Sequence, residues 1–409
     1  MSYASDAAVP IAESERAGVV DALRGFALLG VLLANLISFV TFPMPKAVIE
    51  QASIGPLNHY YELLVRVFID NKFVTLFSLL FGYGFGVLME RLTAKGIDAT
   101  AFYVRRMIIL FIMGFIHIFF WWGEILDIYS ICGLLMLLFR NASNRSLLIW
   151  AAFLMLVPYT IVRYLMIEIK AFDPAISEPI YARYLDESLR HGLSSVLAAN
   201  WNIHQYIYVQ CIYEWIELTQ ALSRFLIGYW ILRLGILTNP GVNVPAIKRA
   251  LYCCSPVAAL YIIETTWFNI AHPKIDVTAI RLVISGLNRI GILSLSLTYA
   301  CLIVLCYHRS SGSRILGGLR YVGVMSLTSY LTHTVIYVIL LHGIGLGMMG
   351  KLTIVQTLYL GLAIFPIQIV LSWYWLNRYS YGPIEWIWRQ LSYGKRVPIR
   401  KPVRNLSGR

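Results

Sequence analysis

Ten long apolar runs divide this chain, more than a water-soluble fold of its length has interior to bury. They lie near residues 19 to 42, 68 to 90, 103 to 122, 124 to 140, 146 to 167, 213 to 237, 248 to 268, 282 to 306, 320 to 342 and 355 to 377. Crossing a bilayer takes about 20 mostly apolar residues. Inside hydrocarbon no water satisfies the backbone, so each run is expected to be an α-helix that closes its own hydrogen bonds. The expected fold is all-α, a polytopic transmembrane bundle of about ten helices. Composition agrees: 58% of the residues are hydrophobic, 13% are charged, and mean hydropathy is +0.68, whereas soluble domains carry about 25% charged residues. The 409 residues then form a single integral membrane domain, 1–409, with little left for a soluble module.

Charge sets the expected orientation. The formal net charge of +13 would raise nucleic acid as a partner in a soluble protein. Here the basic residues sit between the apolar runs, so no nucleic acid is expected and the partner is the lipid bilayer. Arg91, Lys95, Arg105 and Arg106 fall in the second connection, Arg140 and Arg145 in the fourth, Arg233, Lys248 and Arg249 in the sixth, and Arg309, Arg314 and Arg320 in the eighth. Positive loops stay cytoplasmic, which puts both termini inside. Residues 1–18 become a cytoplasmic arm without the basic n-region or cleavage site of a secretory signal, so the first span is expected to stay in the mature protein. Residues 378–409 become an interfacial helix and a basic tail bearing Lys395, Arg396, Arg400, Lys401, Arg404 and Arg409. The helix has Pro383 near its start and Trp386 and Trp388 as anchors. Residues 168–212 form the long external loop, whose Tyr181, Tyr184, Trp201 and Tyr206 read either as interfacial aromatics or as a lid on a cavity. The six cysteines lie in or beside apolar runs without metal-ligand spacing; no metal site is expected, and they read as packing residues.

Ionisable residues inside spans are costly unless paired or turned to a cavity, which makes each a candidate site residue. In VDALRGFALLGVLLANL, Asp21 and Arg24 are three residues apart on one helical face, and Asn35 returns to that face about 16 Å deeper. An arginine snorkelling to headgroups from a helix that starts with an aspartate is the plainer account of the first two. In RRMIILFIMGFIHIFFWWGEILDIY, His117 sits among large apolar residues. A desolvated imidazole is held neutral, which suits a general base; a structural hydrogen-bonding histidine is the plainer alternative. Glu124 follows seven residues later, two turns along the same face if the helix continues, and Asp127 is a competing partner. Gly123 stands between them as a potential break. FIDNKFVTLFSLLFGYGFG places Lys72 at the external entry of the second span and Ser78 on its helix, with glycines that permit close helix approach. SLTSYLTHTV, with Tyr330 and His333, is too polar to face lipid and reads as a cavity wall.

Four segments in order, LRGFALLGVLLANL, NKFVTLFSLLFGYGFG, GFIHIFFWWGEIL and YGPIEWIWRQL, span nearly the whole chain. On these the sequence resembles the bacterial YeiB-like family of membrane proteins, a domain family without an assigned function, which implies residence in the bacterial cytoplasmic (inner) membrane. More remotely, the Arg-Gly pair opening the first span is similar to that of transmembrane acyltransferases such as heparan glucosaminide acetyltransferase. Asp21, Arg24, Gly25 and Asn35 match the (D)xxRG…N pattern of that branch, and His59 lies where it uses a histidine. The bacterial O-acyltransferase branch commonly has a histidine where Asn35 stands.

That resemblance implies a membrane acyltransferase moving an acyl group from cytosolic acyl-CoA, a donor substrate rather than a bound cofactor, to a hydroxyl or amine of an envelope or glycan acceptor. Arg24, His117 and Glu124 are its candidate catalytic residues, either His117 or His59 being the base, and Asp21, Asn35, His59, Lys72, Ser78, Tyr330 and His333 its candidate substrate contacts. A small-solute transporter whose path is lined by the same residues is the alternative, and a scaffold that tolerates their replacement a third. Association into a homo-oligomer is compatible with all three.

Overall fold

The computed structural model describes residues 18–237, 241, 243–271 and 278–401. The N-terminal arm before Gly18, and Arg404 and Arg409 of the basic tail, lie outside the described residues. The regular structure of those described is helical, apart from one isolated bridge between Tyr379 and Arg400. In order they form α1 (Gly18–Ser38), α2 (Lys46–Ala52), α3 (Pro56–Leu64), α4 (Lys72–Ala94), α5 (Ala99–Ile118), α6 (Leu126–Met136), α7 (Asn144–Glu168), α8 (Pro174–Leu189), α9 (Leu193–His204) and α10 (Tyr213–Arg233). The chain continues as α11 (Val244–Ala271), α12 (Thr278–His308), α13 (Ser310–Val324), α14 (Ser326–Leu341), α15 (Ile354–Arg378) and α16 (Pro383–Tyr393). Start signals are explicit at several of these. Asp98 accepts from the Thr100 and Ala101 amides at 3.0 Å to open α5, and Thr353 and Gln356 form a reciprocal capping box on α15.

Every apolar run of the sequence lies on a helix, and the chain is a multi-pass membrane protein. Among the described residues, seven helical segments are long and apolar enough to cross a membrane, or eight if the bent α13–α14 pair is one span. The difference from about ten has three local causes. The run at 124 to 140 yields only the short helix Leu126–Phe139. The run at 213 to 237 yields α10, which carries Glu214, Glu217, Arg224 and Arg233. The run at 320 to 342 is broken beside Met325 and bends by 87°.

Helix α1 is the centre of the bundle, with 72% of its apolar window buried against 17% for α11, which faces outward. It packs along α13, α4, α15 and α14, and α10 packs between α4 and α7. Two of these contacts bring backbones together. A Cβ on Gly228 would stand 1.9 Å from the Leu79 carbonyl, and one on Gly323 would stand 1.8 Å from the Asp21 carbonyl, so only glycine admits α10 to α4 and α13 to α1.

Helix ends gather at two faces. Gly18 meets Tyr307 and Arg320, and Trp388 of α16 donates to the Arg106 carbonyl of α5 at 3.0 Å, so the starts of α1 and α5, the end of α12 and all of α16 share what we term the N-terminal face. At the opposite face lie the ends of α1, α5 and α14, the starts of α4 and α10, and the segment 168–212. That segment folds as α8 and α9 followed by a π-helical turn, Gln205–Gln210. It packs on the bundle through Phe42 against Tyr181 and Phe172, and through the Gly343 amide donating to the Ser188 carbonyl at 2.8 Å.

Candidate functional site

Helix α5 ends at Ile118, and the chain turns through Phe119–Gly123 before α6 begins at Leu126. A Cβ on Gly114 would lie 2.5 Å from the Asp127 amide, so α5 and α6 approach closely there because the residue is glycine. His117 and Glu124 therefore meet across a helix–turn–helix corner, not along one continuous helix. His117 Nδ1 bonds Glu124 Oε2 directly. The other carboxylate oxygen accepts the Leu126 amide, and the Tyr330 hydroxyl approaches Oε2 at 3.4 Å. Asp127 is not a partner of the histidine, its Oδ1 accepting the Ile128 amide at 2.7 Å.

Both imidazole nitrogens are engaged, since His117 Nε2 lies 2.8 Å from Thr334 Oγ1 on α14. Glu124 already receives N–H and O–H donors, so the proton-bearing nitrogen is assigned as Nδ1 and the lone pair as Nε2, which accepts from the threonine hydroxyl. The result is a carboxylate–imidazole–hydroxyl line, with Glu124 fully buried and His117 7% exposed. The turn carrying it is clamped by α9: the Trp122 amide donates to Asn200 Oδ1 at 3.1 Å, and His204 Nδ1 donates to the Trp122 carbonyl at 2.8 Å.

The same turn bounds a cavity of about 310 Å³ at the opposite face. Asn35, Asn71, Trp121, Trp122, Tyr213 and Glu217 are among its walls, while Phe172, Ile207 and Tyr208 of the 168–212 segment close one side. His117 and Glu124 sit behind the turn and are not in the lining. Two helix breaks reach the cavity. Asn71, at φ 63°, precedes α4, and Ile212, at φ 54°, precedes α10. The second is strained, because a β-branched residue rarely adopts the left-handed region.

The remaining residues singled out from sequence are dispersed. Arg24 and Asp21 form the ion pair expected of them, at 3.1 Å, near the N-terminal face. Among the described residues, no hydrogen bond, ion pair or ring contact joins Arg24 to His117 or Glu124. Asn35 is the member of that stripe that reaches the cavity. His333 Nε2 donates to Gln368 Oε1 at 2.9 Å, and Gln368 Nε2 donates to the Ser329 carbonyl at 3.1 Å. Ser78 and Tyr129 share a hydroxyl hydrogen bond of 2.6 Å. Lys72 is buried, donating to the Arg66 carbonyl at 2.6 Å. His59 is exposed on α3. Thr334, Gln368 and Asn200 were not reached from sequence. Thr334 had a signal, being four residues after Tyr330 and so on the same helical face. Asn200 had none, its partner being 78 residues away.

Among the described residues, no group of three His, Cys, Asp or Glu side chains is placed to hold a metal ion. No solved structure matches the chain. Three bacterial relatives match it along nearly their full length. An uncharacterized 39.9 kDa protein in the amylase 3′ region of Bacillus acidopullulyticus is 30% identical over 393 residues, 95% of this chain and 97% of the relative. The uncharacterized protein YxaH of Bacillus subtilis is 28% identical over 97% of this chain and 98% of its own, and the uncharacterized protein YeiB of Escherichia coli is 28% identical over 92% and 96%. Residues 231–395 match the model of a protein family of unknown function, DUF418. With these relatives spanning both of its halves, the chain belongs to the YeiB-like DUF418 family of membrane proteins.

Proposed function

We propose that this protein is an acyltransferase of the bacterial cytoplasmic membrane, with both termini in the cytoplasm and His117 as general base. The observation that carries the reading is the Glu124–His117–Thr334 line, in which a buried carboxylate fixes the imidazole and leaves Nε2 directed at a hydroxyl. In the reaction, His117 Nε2 takes the proton from an acceptor hydroxyl or amine as that group attacks the thioester carbonyl of an acyl-CoA. The carbon–sulfur bond breaks, and the imidazolium, stabilised by Glu124, returns the proton to the departing thiolate. Arg24 belongs to the donor side at the N-terminal face; the first cavity belongs to an envelope or glycan acceptor at the other. Asn35 lies about 16 Å along α1 from Arg24, so the donor arm must reach through the bundle to meet the base. Opening the Trp121–Gly123 turn joins the base to the cavity. The test is transfer of label from acetyl-CoA and longer acyl-CoAs by the purified protein in lipid. Donor-dependent transfer is the expected result, and no thioester consumption by folded protein with any donor overturns the reading.

One observation favours a second reading, small-solute transport. The break at Asn71 precedes α4 beside both cavities, an arrangement used by transporters with discontinuous helices. Uptake into vesicles without an acyl donor would establish it.

A further inference from the structure

A second cavity, of about 330 Å³, opens at the same face between the start of α4, the end of α11 and the start of α12. Its lining is unusually charged for a site flanked by helices whose outer surfaces are apolar: Lys72, Arg289, Asp70 and Glu264 all line it, with Tyr261 among them. Arg66, also at its edge, is already paired with Glu62 at 2.9 Å and contributes no spare charge.

Two donors are left over. The Arg289 Nε–H is buried and, among the described residues, has no hydrogen-bond partner, although the guanidinium lies over the Tyr159 ring at 4.7 Å. The Lys72 ammonium carries three N–H groups; besides the attraction of nearby Asp70, the described contacts are one carbonyl, Arg66 at 2.6 Å, and the Tyr261 ring at 5.0 Å. An unpaired buried donor is costly, and two cationic donors lining one cavity are matched by an oxyanion. The carboxylates make a simple anion a poor fit, because Asp70 and Glu264 repel it and offset the two cations. A ligand carrying an amine next to the oxyanion satisfies both halves.

We propose that this cavity binds a zwitterionic amine–oxyanion group of the phosphoethanolamine kind, its phosphate on Arg289 and Lys72 and its ammonium on Glu264 and Asp70. The source is either a lipid headgroup entering between α11 and α12 or a small soluble solute, two forms of the same chemistry. Asn71 lines both this cavity and the first. The site is independent of the acyl-transfer reading.

The test uses the full chain in phosphatidylcholine nanodiscs and measures the thermal shift produced by O-phosphoethanolamine, by inorganic phosphate and by ethanolamine, with no acyl donor present. Phosphoethanolamine is expected to bind most tightly, and Arg289→Gln and Glu264→Gln each to weaken it roughly tenfold. A melting temperature for the unliganded variants equal to wild type assigns the loss to the site. If a glutamine variant does not fold, Arg289→Lys, which keeps the charge and loses Nε, is expected to weaken binding in the same direction. Phosphate binding as well as phosphoethanolamine, or no shift by either, overturns the proposal. Native mass spectrometry after reconstitution with phosphatidylethanolamine separates the sources: retained lipid lost in Arg289→Gln identifies the headgroup, whereas binding of the soluble probe alone identifies a free solute.

Discussion

His117 and Glu124 were legible in the sequence as a pair, but through a geometry the chain does not use. Seven residues along a continuous helix place two side chains on one face; here Gly123 lies in a turn, and the carboxylate comes back to the imidazole from the start of α6. The pairing survived the wrong premise because a short turn after a helix end also returns to that face. Thr334 is contributed by α14, 217 residues from His117 along the chain, and no local pattern ties it to the histidine. His59, at a plausible spacing for the resemblance, sits exposed on α3. At this scale Thr334→Val tests the line directly. It removes the hydroxyl from Nε2 while keeping shape, leaving one buried nitrogen without a donor, and is expected to lower stability by about 1–3 kcal/mol, read as a lower unfolding temperature. An unchanged unfolding temperature would mean that the imidazole does not depend on that hydroxyl.

At the scale of elements, the long apolar helices and the break at Gly123 were readable, and the bend beside Met325 was not. Apolar runs announced every major helix, because hydrocarbon admits little else. The bend beside Met325, two residues after Gly323, falls inside a single apolar run of the sequence. The segment 168–212 was read as either surface aromatics or a lid; its Phe172, Ile207 and Tyr208 line the cavity, and its α9 clamps the Trp122 backbone. Asn200→Ala should leave the Trp122 amide unpaired and cost about 1–3 kcal/mol; no change in unfolding temperature would show that the clamp does not hold the turn. The α4–α10 contact gives a harsher case. Gly228→Val drives side-chain atoms into the Leu79 carbonyl, so the two helices must part, at a cost of about 1–3 kcal/mol or more. Wild-type unfolding temperature in that variant would contradict the close approach.

For the whole molecule, helix ends keep two faces distinct, one bearing Arg106 and Arg140 and the other bearing the cavities. Arg106 lies over Trp388 at 3.5 Å on the N-terminal face, with the basic tail close by, while the cavities and the 168–212 segment share the opposite one. If both termini are cytoplasmic as proposed, a single cysteine at exposed Lys46 in a cysteine-free protein should react with an impermeant maleimide added to intact cells, and one at Lys395 should react only after lysis; the reverse pattern inverts the orientation. Under the proposed acyl transfer, one polar end is the donor side and the other the acceptor side, with the His117 line nearer the acceptor.

The most direct test of that assignment is thioester turnover by wild type, His117→Ala, Glu124→Gln and the double variant in proteoliposomes. General-base catalysis predicts a loss of about 100-fold or more for His117→Ala. Because the two side chains act as one unit, the double variant should lose little beyond the worse single variant. Wild-type turnover in His117→Ala, in a protein that inserts and folds normally, would contradict the central claim.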